Sequence, residues 1–92
     1  MVLMISYDLN GHETSKKYTT VEEFIQQNAN GWARPLMSQW FVNTEESLAW
    51  WNEELLKLLD ENDNLFVCSI YPGSYEGYLD REVVDWLNST FE

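Results

Sequence analysis

Trp32-Ala33-Arg34-Pro35-Leu36-Met37-Ser38-Gln39-Trp40-Phe41-Val42-Asn43 is the stretch that decides the fold. From Ser38 to Asn43, Trp40 and Val42 share one side and Phe41 takes the other, which is the period of a β-strand. Trp32 to Met37 contains Pro35, which has no N–H to give to a sheet ladder, so this strand is expected to be short and to lie on an edge. Two strands in direct succession, with helical patterns on both sides, are the middle of a larger unit.

Upstream, Thr20-Val21-Glu22-Glu23 matches a capping box. It predicts a helix with Val21, Phe24, Ile25 and Asn28 on one face, ending near Asn30-Gly31. Leu9 to Lys17, with Asn10-Gly11, reads as a loop. Before it, Leu3, Ile5 and Tyr7 alternate with Met4, Ser6 and Asp8, predicting a strand over Val2 to Asp8.

Downstream, Thr44 suits the amino-terminal cap of a long helix running to about Asp60, with Glu45 and Glu46 complementing its dipole. Leu48, Trp51, Leu55, Leu58 and Leu59 form its core-facing arc. Asn62-Asp63-Asn64 ends it, Leu65 to Tyr71 is a fourth strand, and Pro72-Gly73-Ser74 is a turn. Tyr71, Tyr75 and Tyr78 are expected to staple the connection that follows, and Asp80 caps a last helix whose inner face is Val83, Trp86, Leu87 and Phe91. The order is that of a single α+β domain over residues 1–92: a ferredoxin-like βαββαβ unit with an antiparallel sheet, two helices on one face and an extra C-terminal helix.

Charge narrows the function. Sixteen Asp and Glu face five Lys and Arg, for a net charge of −11. A protein that grips nucleic acid neutralises phosphates with Lys and Arg, so direct nucleic-acid binding is expected to be weak without a metal. Cys68, the one cysteine, lies in the apolar run Leu65 to Ile70 and reads as a buried strand thiol. It suits a reducing cytosol, as does the lack of a signal-peptide pattern or long apolar segment, so a cytoplasmic location away from membranes is expected.

The Ser6-Tyr7-Asp8-Leu9 end of the first strand, Ser38-Gln39-Trp40-Phe41-Val42, Asp63-Asn64-Leu65-Phe66-Val67 and the final Trp86-Leu87 together resemble small ferredoxin-fold proteins related to the CRISPR-adaptation protein, VapD and SinR-like proteins. The resemblance implies a homodimer in which Asp8 lies near its symmetry mate. There the pair can hold Mg²⁺ or Mn²⁺ for phosphodiester cleavage. Some relatives are nucleases and others non-catalytic scaffolds.

Asp8 is therefore the expected catalytic and metal-binding residue if the chain is an enzyme, since a hard carboxylate oxygen suits Mg²⁺. As an alternative, Asp8 only begins the turn after the strand. His12, in the following loop, is a general acid or base on the first reading and a solvated side chain on the second. A different signal comes from the long helix. Trp50 is expected to project among Glu46, Glu53, Glu54, Asp60 and Glu61 as an anchor for a basic partner or a second subunit, or to cover its apolar neighbours. The favoured function is a small acidic, non-catalytic binding or inhibitory module that needs no cofactor and engages a basic protein, nucleic-acid-binding in the concrete case, with carboxylates standing in for phosphates. Antitoxin and anti-defence roles belong to this class. A metal-dependent endonuclease built on paired Asp8 carboxylates is its rival.

Overall fold

The computed structural model describes residues 1–10 and 14–91. Along the chain run β1 (Val2–Asp8), α1 (Thr14–Asn28), β2 (Gly31–Leu36), β3 (Gln39–Asn43), α2 (Leu48–Leu56), β4 (Asn64–Ile70) and α3 (Arg81–Phe91). The strands form one sheet in the order β2-β3-β1-β4, every neighbouring pair antiparallel. This is the expected ferredoxin-like βαββαβ architecture with an added C-terminal helix.

Strand alternation divides the core in two. Leu3, Ile5 and Tyr7 of β1 join Trp40 and Val42 of β3, Val21 and Ile25 of α1, and Trp51 and Leu55 of α2 in one buried cluster. Val2 of β1, Ala33 of β2, Phe41 of β3 and Ile70 of β4 meet Val83 and Leu87 of α3 in a second. Thus α1 and α2 cover one face of the sheet, and α3 lies across part of the other. The two large indoles of the first cluster satisfy their N–H groups internally: Trp40 donates to the Tyr7 hydroxyl at 2.8 Å and Trp51 to Thr44 Oγ1 at 3.0 Å. Burial pushes the Tyr7 phenol up from its ordinary value, against the opposing effect of the Trp40 hydrogen bond.

Several local expectations are corrected. Helix α1 begins at Thr14, so Thr20 is no cap; its hydroxyl donates to the Lys16 carbonyl at 3.0 Å, within the helix. Helix α2 is capped by Ser47, whose Oγ accepts from the Trp50 N–H at 3.0 Å, and its C-cap is Lys57. Thr44 is instead buried under Trp51, and Leu48 is exposed rather than in the core. Cys68 is half-buried, not fully enclosed. Of the linker tyrosines, Tyr75 stacks on Phe91 at 6.2 Å between centroids, while Tyr71 and Tyr78 face solvent. Pro72-Gly73 does form a turn: Gly73 has φ 81°, and the Ser74 N–H donates to the Tyr71 carbonyl at 3.0 Å.

Candidate functional site

Asp8 closes β1 on the same sheet face as Met4 and Ser6, directly opposite Asn64 of β4. Its side chain is exposed and, among the described residues, makes no hydrogen bond or ion pair. Ser6 is opposite Gln39, whose Nε2 donates to the Ser6 hydroxyl at 3.2 Å. The surroundings of Asp8 on this face are thus uncharged: Ser6, Gln39 and Asn64 are polar, and Phe66, opposite Ser6, adds an exposed ring. His12 lies outside the described residues, so the expected Asp8–His12 association is not part of the described site.

Beside Asp8, the chain ends of β1 and β4 are clamped together by charge. Lys17 of α1 reaches Asp60 at 2.7 Å, Asp63 at 2.8 Å and the Asn10 carbonyl at 3.0 Å. Asp63 also accepts from the Asn10 N–H at 2.7 Å and the Asp60 N–H at 2.9 Å, and has no exposed side-chain surface. Burial works to raise the Asp63 pKa, but these hydrogen bonds and the Lys17 ammonium outweigh it and hold the carboxyl at about 2. The hydrogen bonds from Lys17 and from the Asn62 N–H likewise lower Asp60. Neither carboxylate is therefore a spare ligand for Asp8.

Among the described residues, Asp8 is the single unengaged carboxylate at this place. Among the described residues, no three His, Cys, Asp or Glu side chains converge as a metal site. The paired-Asp8 arrangement needs a second copy to bring another carboxylate.

The acidic residues around α2 are arranged differently from a single helical arc. Only Glu53 and Glu54 lie in the helix; Glu46 precedes its cap and Glu61 lies in the turn beyond it. Glu46, Glu53 and Glu61 are exposed, whereas Glu54 is half-buried and ion-pairs with Lys57. Trp50 is half-buried too, stacked on Phe24 of α1 at 6.0 Å and edge-on to Trp51 at 5.3 Å, so it continues the core outward and offers only its remaining surface. That pairing joins two helices distant in sequence; the apolar Phe24 on the predicted α1 face was its only sequence signal.

Cations are the scarcer resource, and most are occupied. Lys17 is bound as above, Lys57 by Glu54, and Arg34 by Glu22 of α1 at 2.7 Å, by the Met37 carbonyl and by the Trp40 ring at 4.7 Å from its centroid. Three of the five Lys and Arg thus serve the fold itself. Their structural use was not legible in composition.

A split βαββαβ sheet closed on one face by two helices defines the class: a ferredoxin-like domain. Within that class the chain resembles Cas2 of Streptococcus pyogenes, whose crystal structure it matches with a TM-score of 0.60 over 79% of this chain and 89% of that one, at 16% identity. That likeness is one of fold, and agrees with the resemblance to the CRISPR-adaptation protein read from the strand ends. No family model and no curated protein matches the chain.

Proposed function

We propose that the chain is a non-catalytic acidic binding module that engages a basic surface on a protein partner, inhibiting it where that partner handles nucleic acid. The observation that carries this reading is the charge balance in three dimensions. A net charge of −11 is combined with three of five cations consumed by internal ion pairs, so a polyanion finds few contacts while a basic protein finds many. Glu46, Glu53 and Glu61, with the open part of Trp50 and the Lys57-paired Glu54, form the proposed docking region. An antitoxin- or anti-defence-like role in the cytoplasm is the concrete form of such a module, and the Cas2-like fold likens it to a CRISPR-related protein in architecture only.

Tagged chain used to capture its partner from the source cells supplies the test. The captured complex is expected to weaken steeply as salt rises. Replacing Glu53→Lys together with Glu54→Lys is expected to weaken it at least tenfold, and Asp8→Asn to leave it unchanged. Affinity indifferent to both salt and the double charge reversal would remove the reading.

One observation favours a second reading: Asp8 is an exposed carboxylate, without a described partner, at the end of the central strand. On that reading two copies join their Asp8 residues around Mg²⁺ or Mn²⁺ as an endonuclease. It requires metal-dependent cleavage of DNA or RNA that vanishes in Asp8→Asn.

A further inference from the structure

Helix α3 covers the second sheet face unevenly. Val83 and Leu87 close on Val2, Ala33, Phe41 and Ile70, and Trp86 lies over Gly31, where an added Cβ would stand 3.8 Å from its indole. Towards the other end of β1 the face is open, with Ser6 between Gln39 and Phe66, and Asp8 opposite Asn64. Where the covered and open halves meet is a cavity of about 430 Å³. Met4, Phe41 and Ile70 of the sheet, Val84 and Leu87 of α3, and Leu79 of the connection before it make its walls apolar. Phe66, 62% exposed and diagonal to Met4 across the β1–β4 pair, carries the apolar floor on beyond the mouth.

Three polar residues complete the lining: Gln39, Glu76 and Asn88. Gln39 turns its Nε2 to the Ser6 hydroxyl at 3.2 Å, which leaves its carbonyl oxygen as an acceptor. Glu76 adds carboxylate oxygens and the one charge of the lining; no Lys or Arg lines the cavity among the described residues. Asp8 lies further along the same sheet face. A cleft of this size, apolar with a few convergent polar groups, has the usual form of a small-molecule site. An apolar body gains by displacing water from such walls, while acceptor oxygens in a negative field favour a positively charged donor.

We propose that this cavity binds a small amphipathic ammonium ion, its aromatic or branched aliphatic body held among Met4, Phe41 and Leu87 and its nitrogen donating to Glu76 and the Gln39 carbonyl. An anion of the same shape is opposed by Glu76 and by the net charge of −11. An uncharged analogue makes only a weaker hydrogen bond to the carboxylate. Phe66 gives an aromatic surface to any part of a larger ligand that extends past the mouth. The site lies on the sheet face opposite α1 and α2, so it is independent of the acidic docking region around Trp50.

Phenethylamine is the probe, with phenethyl alcohol and phenylacetate as matched controls, titrated into the full chain carrying isotope-labelled methionine methyl groups. In the NMR spectrum Met4, in the wall, reports binding, and Met37, 81% exposed at the β2–β3 turn, reports non-specific association. Phenethylamine is expected to shift the Met4 methyl saturably, in the millimolar range usual for so small a ligand, and to bind about tenfold more tightly than either control. Glu76→Gln, an exposed change outside the helices and strands, is expected to remove that preference and leave phenethyl alcohol unaffected. Val84→Trp, which fills the cavity from α3, is expected to abolish the Met4 shift while the circular dichroism spectrum is kept. A Met4 methyl unmoved by tens of millimolar phenethylamine would overturn the proposal. So would equal binding of the alcohol, or a Met37 shift as large as that of Met4.

Discussion

Asp63 shows how much one side chain can hold. Its carboxylate gathers the Lys17 ammonium and the N–H groups of Asn10 and Asp60, tying the end of β1 to the start of β4. Its folded pKa of about 2 lies below the model-peptide value of 3.8. A depressed carboxylate stabilises the folded state fully above its unfolded pKa, and that contribution is lost as pH falls through the folded value. Acid unfolding followed by circular dichroism should therefore show stability dropping between about pH 4 and pH 2. In Asp63→Ala, which strands one ammonium and two N–H groups, this part of the drop is absent and stability near pH 7 is lower by about 2 kcal/mol, roughly 10 °C in Tm. The sequence placed Asp63 in a helix-ending turn and in the stretch that carries the resemblance, but not in this clamp, since Lys17 and Asn10 come from two other segments. Trp40 and Trp51 were legible as core because they fall on the apolar side of an alternating strand and of a helical arc. Trp50 was read as projecting among carboxylates because helical spacing on α2 carries no information about Phe24 on α1.

At the scale of elements, the strands were the most readable parts. Val2–Asp8 matches its expected bounds, and Pro35 marks the edge strand, because alternation and a missing N–H are local facts with one structural outcome. Helix ends were harder. Thr20 and Ser47 are both chemically competent caps, and only the path of the backbone makes Ser47 one of them. Ser47→Ala is accordingly expected to cost about 1 kcal/mol, while Thr20→Ala, inside α1, is neutral or slightly stabilising. Chemical denaturation of the two variants checks the contrast; equal losses would mean that Thr20 does cap a helix. The shorter α2 also explains why the expected acidic arc is spread over a loop, a helix and a turn.

For the whole molecule, the chief division is between the two sheet faces. The α1–α2 side contains the fully buried tryptophans and the larger core cluster. On the other side α3 is reached by an exposed connection, with Tyr78 fully open to solvent, and a cavity of about 430 Å³ lined in part by Met4, Phe41, Leu79 and Leu87 remains beneath it. Regions with few buried contacts open first. Limited proteolysis with chymotrypsin is therefore expected to cut first at Tyr71 or Tyr78, leaving a fragment that retains β1 to β4, as mass spectrometry can establish. Initial cleavage within α1 or α2 would contradict that order of stabilities. The two-sidedness of β1 was visible in the sequence as two alternating sets of residues. Which face α3 covers was not, because its apolar side fits either face.

The order β2-β3-β1-β4 carries a last consequence, one for synthesis. Strand β1 emerges from the ribosome first yet occupies an interior position, and its two neighbours are both made later. The β2–β3 hairpin can close locally and β1 can pair with β3 once Asn43 has emerged, but the other edge of β1 must wait for β4. At about 5–20 residues per second, that delay lasts several seconds, during which one edge of β1 is without its partner strand. Completion of this sheet is therefore set by the arrival of β4, the last of its strands to be made.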